Sequence, residues 1–231
     1  MGLAKRSSAL LLCLGLGLAG TAQAADHGWY VLAFGGPSSA SASQNDMDEN
    51  LSDIFASVGV ELQDATSSLD DSDTGFGISG GYQANDHFAF EFGYVDLGSI
   101  NYQASGTVTD GVDTFDIDAR LGSSASGPFV AVHGILPIGE RFSVYGRAGL
   151  GFLSVDGTAR ITAEGESQRA SQSSQNSDPM FGAGIEYTLS RNFAVRLAWD
   201  RFLDAGTNEV AGDSDSDLYS LGIRMGVGWF R

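Results

Sequence analysis

The chain has 231 residues, with 29 acids against 12 bases and a formal net charge of −17 at pH 7, an acidic balance that repels nucleic acid and removes that partner class. Its single cysteine, Cys13, lies in the N-terminal leader, so the rest of the chain has neither a disulfide framework nor a thiolate metal site. The length suits one domain of ordinary size. No stretch beyond the leader approaches the ~18 continuous apolar residues of a membrane helix, so only a closed β-barrel would carry this chain across a bilayer.

Residues 1–24 read as a secretory signal peptide. Lys5 and Arg6 precede an apolar run over 9–18, and Ala22-Gln23-Ala24 forms a small-residue cleavage site. Leu12 is not small and Cys13 follows Arg6 closely, which argues against lipid attachment at that cysteine. What remains, 25–231, is read as one outer-membrane β-barrel domain, and its ten basic residues are all arginine.

Eight strands follow in order, at 29–36, 74–82, 87–97, 129–136, 142–155, 180–189, 193–203 and 218–230. In the third, Phe88, Phe90, Phe92 and Tyr94 alternate with Ala89, Glu91 and Gly93. In the seventh, Phe193, Val195, Leu197 and Trp199 alternate with Ala194, Arg196, Ala198 and Asp200. A soluble sheet turns its apolar face to a core, but here the polar face is mostly glycine, alanine and isolated ions. That suits a barrel with lipid outside and a polar interior. Short turns separate strands two and three, four and five, and six and seven, while long polar stretches (37–73, 98–128, 156–179 and 204–217) separate the others and hold 22 of the 29 acids. This alternation predicts an all-β fold, an eight-stranded antiparallel up-and-down transmembrane β-barrel with short periplasmic turns and long external loops. The acid runs read as solvated loops. None has the spacing of an EF-hand, and no metal or cofactor is expected.

Two loops carry further signals. Met47, Leu51, Ile54, Phe55 and Val58 recur at helical spacing behind Asp46, a candidate N-cap with Glu49 three residues on. This describes either a short helix over the barrel mouth or a local apolar cluster. Asp110-Gly111 is a hairpin signal, flanked by Phe115, Ile117, Ala119 and Leu121 alternating with Asp116, Asp118 and Arg120. Strands three and four are therefore expected to continue as a protruding ribbon. Its exposed edge, with Phe115, Ile117 and Arg120, is a candidate partner-binding surface.

Following parity along each strand turns Glu91, His133, Arg147, Glu186, Arg196 and Arg224 inward. A lipid-facing arginine at mid-depth would cost about 2–4 kcal/mol. The interior of an eight-stranded barrel is just wide enough to be filled by side chains, so these ions are expected to pair as a network, either a structural plug or a gate.

The same residues resemble the OmpA-like transmembrane barrels. Gly80-Gly81-Tyr82-Gln83-Ala84-Asn85 with Phe90-Glu91-Phe92-Gly93-Tyr94 is similar to that family's second hairpin. Tyr145-Gly146-Arg147-Ala148-Gly149 fits its fifth strand, Gly182-Ala183-Gly184-Ile185-Glu186-Tyr187 with Ala194-Val195-Arg196-Leu197 a later hairpin, and Gly28-Trp29-Tyr30 its first strand. The resemblance covers 28–230 in strand order, apart from the loops. It implies that Glu91 pairs with Arg196, that Glu186 and Arg147 join the cluster, and that such pairs block or gate a narrow path. His133 stands where the family typically has lysine, which suggests that imidazolium competes with Arg196 for Glu91 below about pH 6.5. The last residues read Gly228-Trp229-Phe230-Arg231 where such barrels usually finish on the aromatic, and the peptidoglycan-binding domain and wall tethering of longer relatives are not expected here.

Three functions follow as expectations. The first is a structural or surface-interaction protein of the cell outer membrane. The second is a narrow, low-conductance, cation-preferring channel gated by the interior ion pairs. The third is a lipid A-modifying enzyme, which needs a histidine beside a serine or acid near the outer leaflet. His27 and His87 lie toward the short-turn end and His133 shares no local motif with a serine, so no catalytic residue is assigned and an enzyme is not expected. The expected partners are outer-membrane lipid and lipopolysaccharide, the barrel-assembly machinery, and an extracellular or envelope protein met by the loops.

Overall fold

The computed structural model describes residues 27–41, 43–57, 59, 61–109, 114–163, 166–203 and 215–227. The leader, Val58, the Asp110-Gly111 turn, Asp213 and Ser214 of the last acid run, and the terminal 228–231 lie outside the described residues. The elements are β1 (Gly28–Ala40), α1 (Gln44–Ser57), β2 (Glu61–Asp70), β3 (Ser72–Gln83), β4 (Phe88–Thr109), β5 (Thr114–Ile138), β6 (Phe142–Ala163), β7 (Glu166–Ser190), β8 (Phe193–Phe202) and β9 (Ser216–Gly226).

Every pairing is antiparallel. Strands β1, β3, β4, β5, β6, β7, β8 and β9 pair in a ring that closes between β1 and β9, so the chain is an eight-stranded up-and-down barrel. Outside the ring stands β2, paired with the far half of β4. The lipid-facing parity carries Phe90, Phe92, Val132, Leu150 and Leu197, all substantially exposed. So large an apolar surface is unfavourable in water and suits a bilayer.

The strands are longer than predicted. A membrane-spanning strand needs about 9–11 residues, yet β4 and β6 have 22 each and β5 and β7 have 25 each. The predicted strands three and four, here β4 and β5, do continue into 98–128 as a paired ribbon, as expected, while much of 156–179, read from sequence as loop, is also sheet. With β2, the far halves of β4, β5, β6 and β7 form a five-stranded sheet beyond the barrel. The sequence hid it because β7 there reads Ser-Gln-Arg-Ala-Ser-Gln-Ser-Ser-Gln, polar on both parities.

A bulge in β4 joins barrel to sheet. The β4–β5 register shifts between Asp96 and Ser99. Gly98 there has φ +81°, and a Cβ would sit 2.7 Å from that of Asp73. The extra residue inverts the parity of β4, so the face that holds Val95 and Leu97 in the barrel holds Tyr102, Ala104 and Val108 beyond it. Onto that face packs α1. Its Met47, Leu51 and Phe55, four residues apart on one stripe, are buried against Tyr102, Val108, Ile117 and Ala119. The helix begins at Gln44, so Ser43 precedes it and its carbonyl accepts the Met47 N–H. Asp46, predicted as the cap, is already inside the first turn. The helix thus lies on the external sheet rather than over the barrel mouth.

Candidate functional site

The lumen has two parts. Toward the short turns, Glu91 of β4 accepts hydrogen bonds from Arg147 of β6 (2.9 Å), Arg196 of β8 (2.8 Å) and the Tyr30 hydroxyl of β1 (2.9 Å). Arg147 also grips Asp200. Arg196 donates to Glu186 at 3.0 and 3.1 Å, and Arg224 donates to Glu186 (2.8 Å) and to the Gln83 side-chain amide oxygen Oε1 (2.6 Å). The result is one connected string, Asp200–Arg147–Glu91–Arg196–Glu186–Arg224, of three acids and three arginines. All six are buried.

The strands explain how long side chains fit. Glycine on the inward face leaves room at the axis: a Cβ at Gly81 would meet the Tyr30 ring, and one at Gly184 the Tyr145 ring. Those rings cover the guanidiniums, Arg224 lying 4.2 Å from the Tyr30 centroid and Arg196 4.9 Å from that of Tyr145. With equal charges of each sign, hydrogen bonds and aromatic cover, burial of the set is tolerated. Removing one member leaves an uncompensated charge, which typically costs about 3–5 kcal/mol.

The sequence-derived residues Glu91, Arg147, Glu186, Arg196 and Arg224 meet in this string. His133 lies beside it, with Nε2 3.5 Å from Glu91 Oε2 and its ring 5.3 Å from that of Tyr145. Neither of its ring nitrogens makes a hydrogen bond. Sequence reasoning missed Asp200, Tyr30 and Gln83. Parity alone signalled Asp200, since it alternates with Trp199 just as Arg196 does with Leu197. A small vestibule of about 60 Å³, lined by Gln83, His133, Glu186 and Arg224, opens below the string.

Above it the lumen changes character. Leu32, Phe34, Phe129, Leu153, Phe202 and Leu218 form a buried apolar cluster that fills the outer half of the barrel. The interior expected from sequence to be polar throughout is therefore largely apolar in its outer half, with the ion string on the side nearest the short turns.

The expected ribbon is present as β4 and β5, but its expected open edge is not. Ile117 is buried under α1 and Phe115 is half-buried in the same cluster, while Arg120 is exposed on the opposite face. β2 and β6 pair along the two sides of the β4–β5 ribbon, so it offers almost no open edge. Asp48 of α1 ties the helix down by accepting from the Tyr102 hydroxyl (2.5 Å) and from Ser67 Oγ (2.9 Å). Burial, then the Asp48 carboxylate, push the Tyr102 phenol pKa up. At the bulge, the backbone N–H groups of Thr74 and Ser99 hold the Asp73 carboxyl below its usual range.

The family model described as the OmpA-like transmembrane domain matches residues 24–229. Outer membrane protein A of Serratia marcescens is 32% identical over 157 residues, covering 67% of this chain and 39% of the relative. Its counterpart from Klebsiella pneumoniae is 29% identical over 160 residues, covering 67% of this chain and 41% of that protein. This chain thus matches about two-fifths of the length of those relatives. Among solved structures, Neisserial surface protein A aligns over 85% of this chain and 96% of its own at 17% identity and a TM-score of 0.44. OprG from Pseudomonas aeruginosa aligns over 90% of this chain and 100% of its own at 14% identity and a TM-score of 0.45.

Proposed function

This chain belongs to the OmpA-like transmembrane family and resides in the outer membrane, and from that premise we propose that it is a sealed barrel whose working part is the sheet-and-helix platform beyond the membrane. The observation that carries this reading is the five-stranded sheet outside the barrel, four strands continued from it and β2 added, with α1 packed on one face. So much ordered structure outside the bilayer is not needed to close a barrel. The filled lumen supports the same division of labour: the ion string occupies one half and the apolar cluster the other. The barrel anchors, and the platform meets an extracellular or envelope partner. Lipopolysaccharide surrounds the barrel, and the barrel-assembly machinery inserts it.

The reading is non-catalytic. All three histidines of the chain lie low or inside: His27 contacts Asp86, His87 contacts the Ile135 carbonyl, and His133 sits beside Glu91. None stands beside a serine near the external rim.

A gated channel is the second reading, favoured by the vestibule beneath the string and by His133 at 3.5 Å from Glu91. Conduction would require the ion string and the apolar cluster to part together, and acidification would have to turn Glu91 from Arg196 toward His133.

The platform reading is tested by replacing residues 43–70, 99–125 and 155–177 with short turns. The shortened barrel is expected to fold and to keep its heat-modifiable mobility, while cells displaying it lose adhesion to surfaces bound by the parent. Unchanged adhesion would overturn the proposal.

A further inference from the structure

The exposed face of the external sheet, opposite α1, carries an arrangement that runs against the rest of this acidic chain. Gln103 of β4 pairs in register with Arg120 of β5, Arg120 with Arg160 of β6, and Arg160 with Arg169 of β7. Three guanidiniums therefore stand side by side across adjacent strands, their Cα atoms spanning roughly 10 Å at ~4.8 Å per strand. Like charges directly opposite one another destabilise a sheet. Yet among the described residues none of the three has a hydrogen bond, ion pair or ring contact. The interior arginines, by contrast, are each held by acids.

The neighbouring rows on this face are rich in uncharged hydrogen-bonding groups. On the membrane side run Asn101, Gly122, Thr158 and Ser171, and on the far side Ser105, Asp118, Thr162 and Ser167. Asp118, and Asp70 of β2 beside Asn101, are the acids of these rows, and neither forms an ion pair with the arginines. The surface is dished over the arginine row, a depression of about 220 Å³ lined by Asn101, Gln103, Arg120, Thr158, Arg160 and Arg169. Arg160 lies beyond the lipid-facing Phe152 on the same strand face, on the order of 25 Å further along, clear of the hydrocarbon.

We infer that this arginine row binds an anionic saccharide, a ligand carrying phosphate or sulfate groups on a hydroxyl-rich frame. Planar guanidiniums match such oxyanions by paired N–H donors, and the flanking Ser, Thr, Asn and Gln side chains suit hydroxyl groups. Bound anions relieve the repulsion within the row. A small neutral sugar would leave the row uncompensated. This deepens the surface-interaction reading by naming a ligand class, and it fails separately from that reading.

The test uses the full chain refolded in zwitterionic detergent and titrated by calorimetry with two probes: phosphorylated core oligosaccharide released from lipopolysaccharide by mild acid, and a heparin-derived hexasaccharide. Binding of either supports the site, and which one binds distinguishes the cell's own leaflet from an external glycan. Each arginine removed is expected to weaken binding by about tenfold. R120Q/R160Q/R169Q abolishes it within the accessible range, and added salt weakens the parent's binding. The same triple variant is expected to unfold at an unchanged or higher denaturant concentration, because the row repels itself when unliganded. Equal binding by parent and triple variant, or no binding of either probe by the parent, would overturn the inference. Retained platform-dependent adhesion alongside that failure would leave the surface-interaction reading standing.

Discussion

Glu91 and Arg147 meet at 2.9 Å inside the barrel although they lie on β4 and β6, with the whole of β5 between them. The pair reaches past β5, and Glu91 also holds Arg196 of β8 (2.8 Å), four strands around the eight-stranded ring and so on the opposite side of the lumen. These contacts link non-adjacent strands and give the narrow barrel a cross-brace that the backbone ladder lacks.

Glu91 is the acceptor for two arginines and a tyrosine. Glu91→Ala removes the acid shared by two buried guanidiniums, which keep only Asp200 and Glu186, and the one uncompensated positive charge left should lower stability by about 3–5 kcal/mol. Glu91→Gln, which keeps an acceptor without the charge, should cost less. Urea unfolding in lipid vesicles measures both, and an unchanged midpoint for the alanine variant would contradict the brace.

Leu51 is buried at the centre of the stripe that holds α1 to the external sheet. Leu51→Ala should cost about 2–3 kcal/mol at that contact without touching the barrel. The expected result is faster protease cleavage within α1 at unchanged heat-modifiability. A loss of barrel stability would mean that platform and barrel do not part as described.

Gly98 takes φ +81° beside Asp73. Gly98→Val places a branched side chain in a left-handed conformation against that residue, at a cost of at least about 1–2 kcal/mol. Loss of the bulge would turn Tyr102 away from α1, so the ultraviolet signature of a buried tyrosine should fade. Retention of that signature would remove the bulge as the cause of the parity change.

Asp73 accepts from the N–H and the hydroxyl of Ser99, and its carboxyl titrates below the ordinary 3.8. A carboxyl with a lowered folded value contributes stability above its unfolded pKa and loses that contribution as pH falls through the folded value. Protection of the Ser99 amide from exchange, corrected for intrinsic rates, should therefore hold at neutral pH and fall below about pH 3.8. Asp73→Asn should flatten that dependence, and an equally steep fall in the variant would assign it elsewhere.

The barrel was legible because its lipid-facing residues are large and its inward ones small or charged, as Phe90 beside Glu91 and Leu197 beside Arg196. The short turns fixed strand order. Three things escaped. The external half of β7 is polar on both faces, so no alternation marks it. The single extra residue at Gly98 shifts β4 by one, which disguises Tyr102 as continuing the wrong parity. The apolar cluster was concealed because Leu32, Phe34 and Phe129 sit on an inward face that sequence logic assigns to polar residues. The stripe of Met47, Leu51 and Phe55 was visible, but the sheet it covers was not. The arginine row could not be read at all, since Arg120, Arg160 and Arg169 are brought together only by the register of three strands.

The most direct test of a sealed barrel with an external working surface is single-channel recording of the refolded protein in a planar bilayer across pH 5–8. The account predicts silence throughout, with the ion string and the apolar cluster closing the lumen at every pH. Current steps that open on acidification, and that His133→Ala removes, would contradict it and make Glu91, His133 and Arg196 a gate.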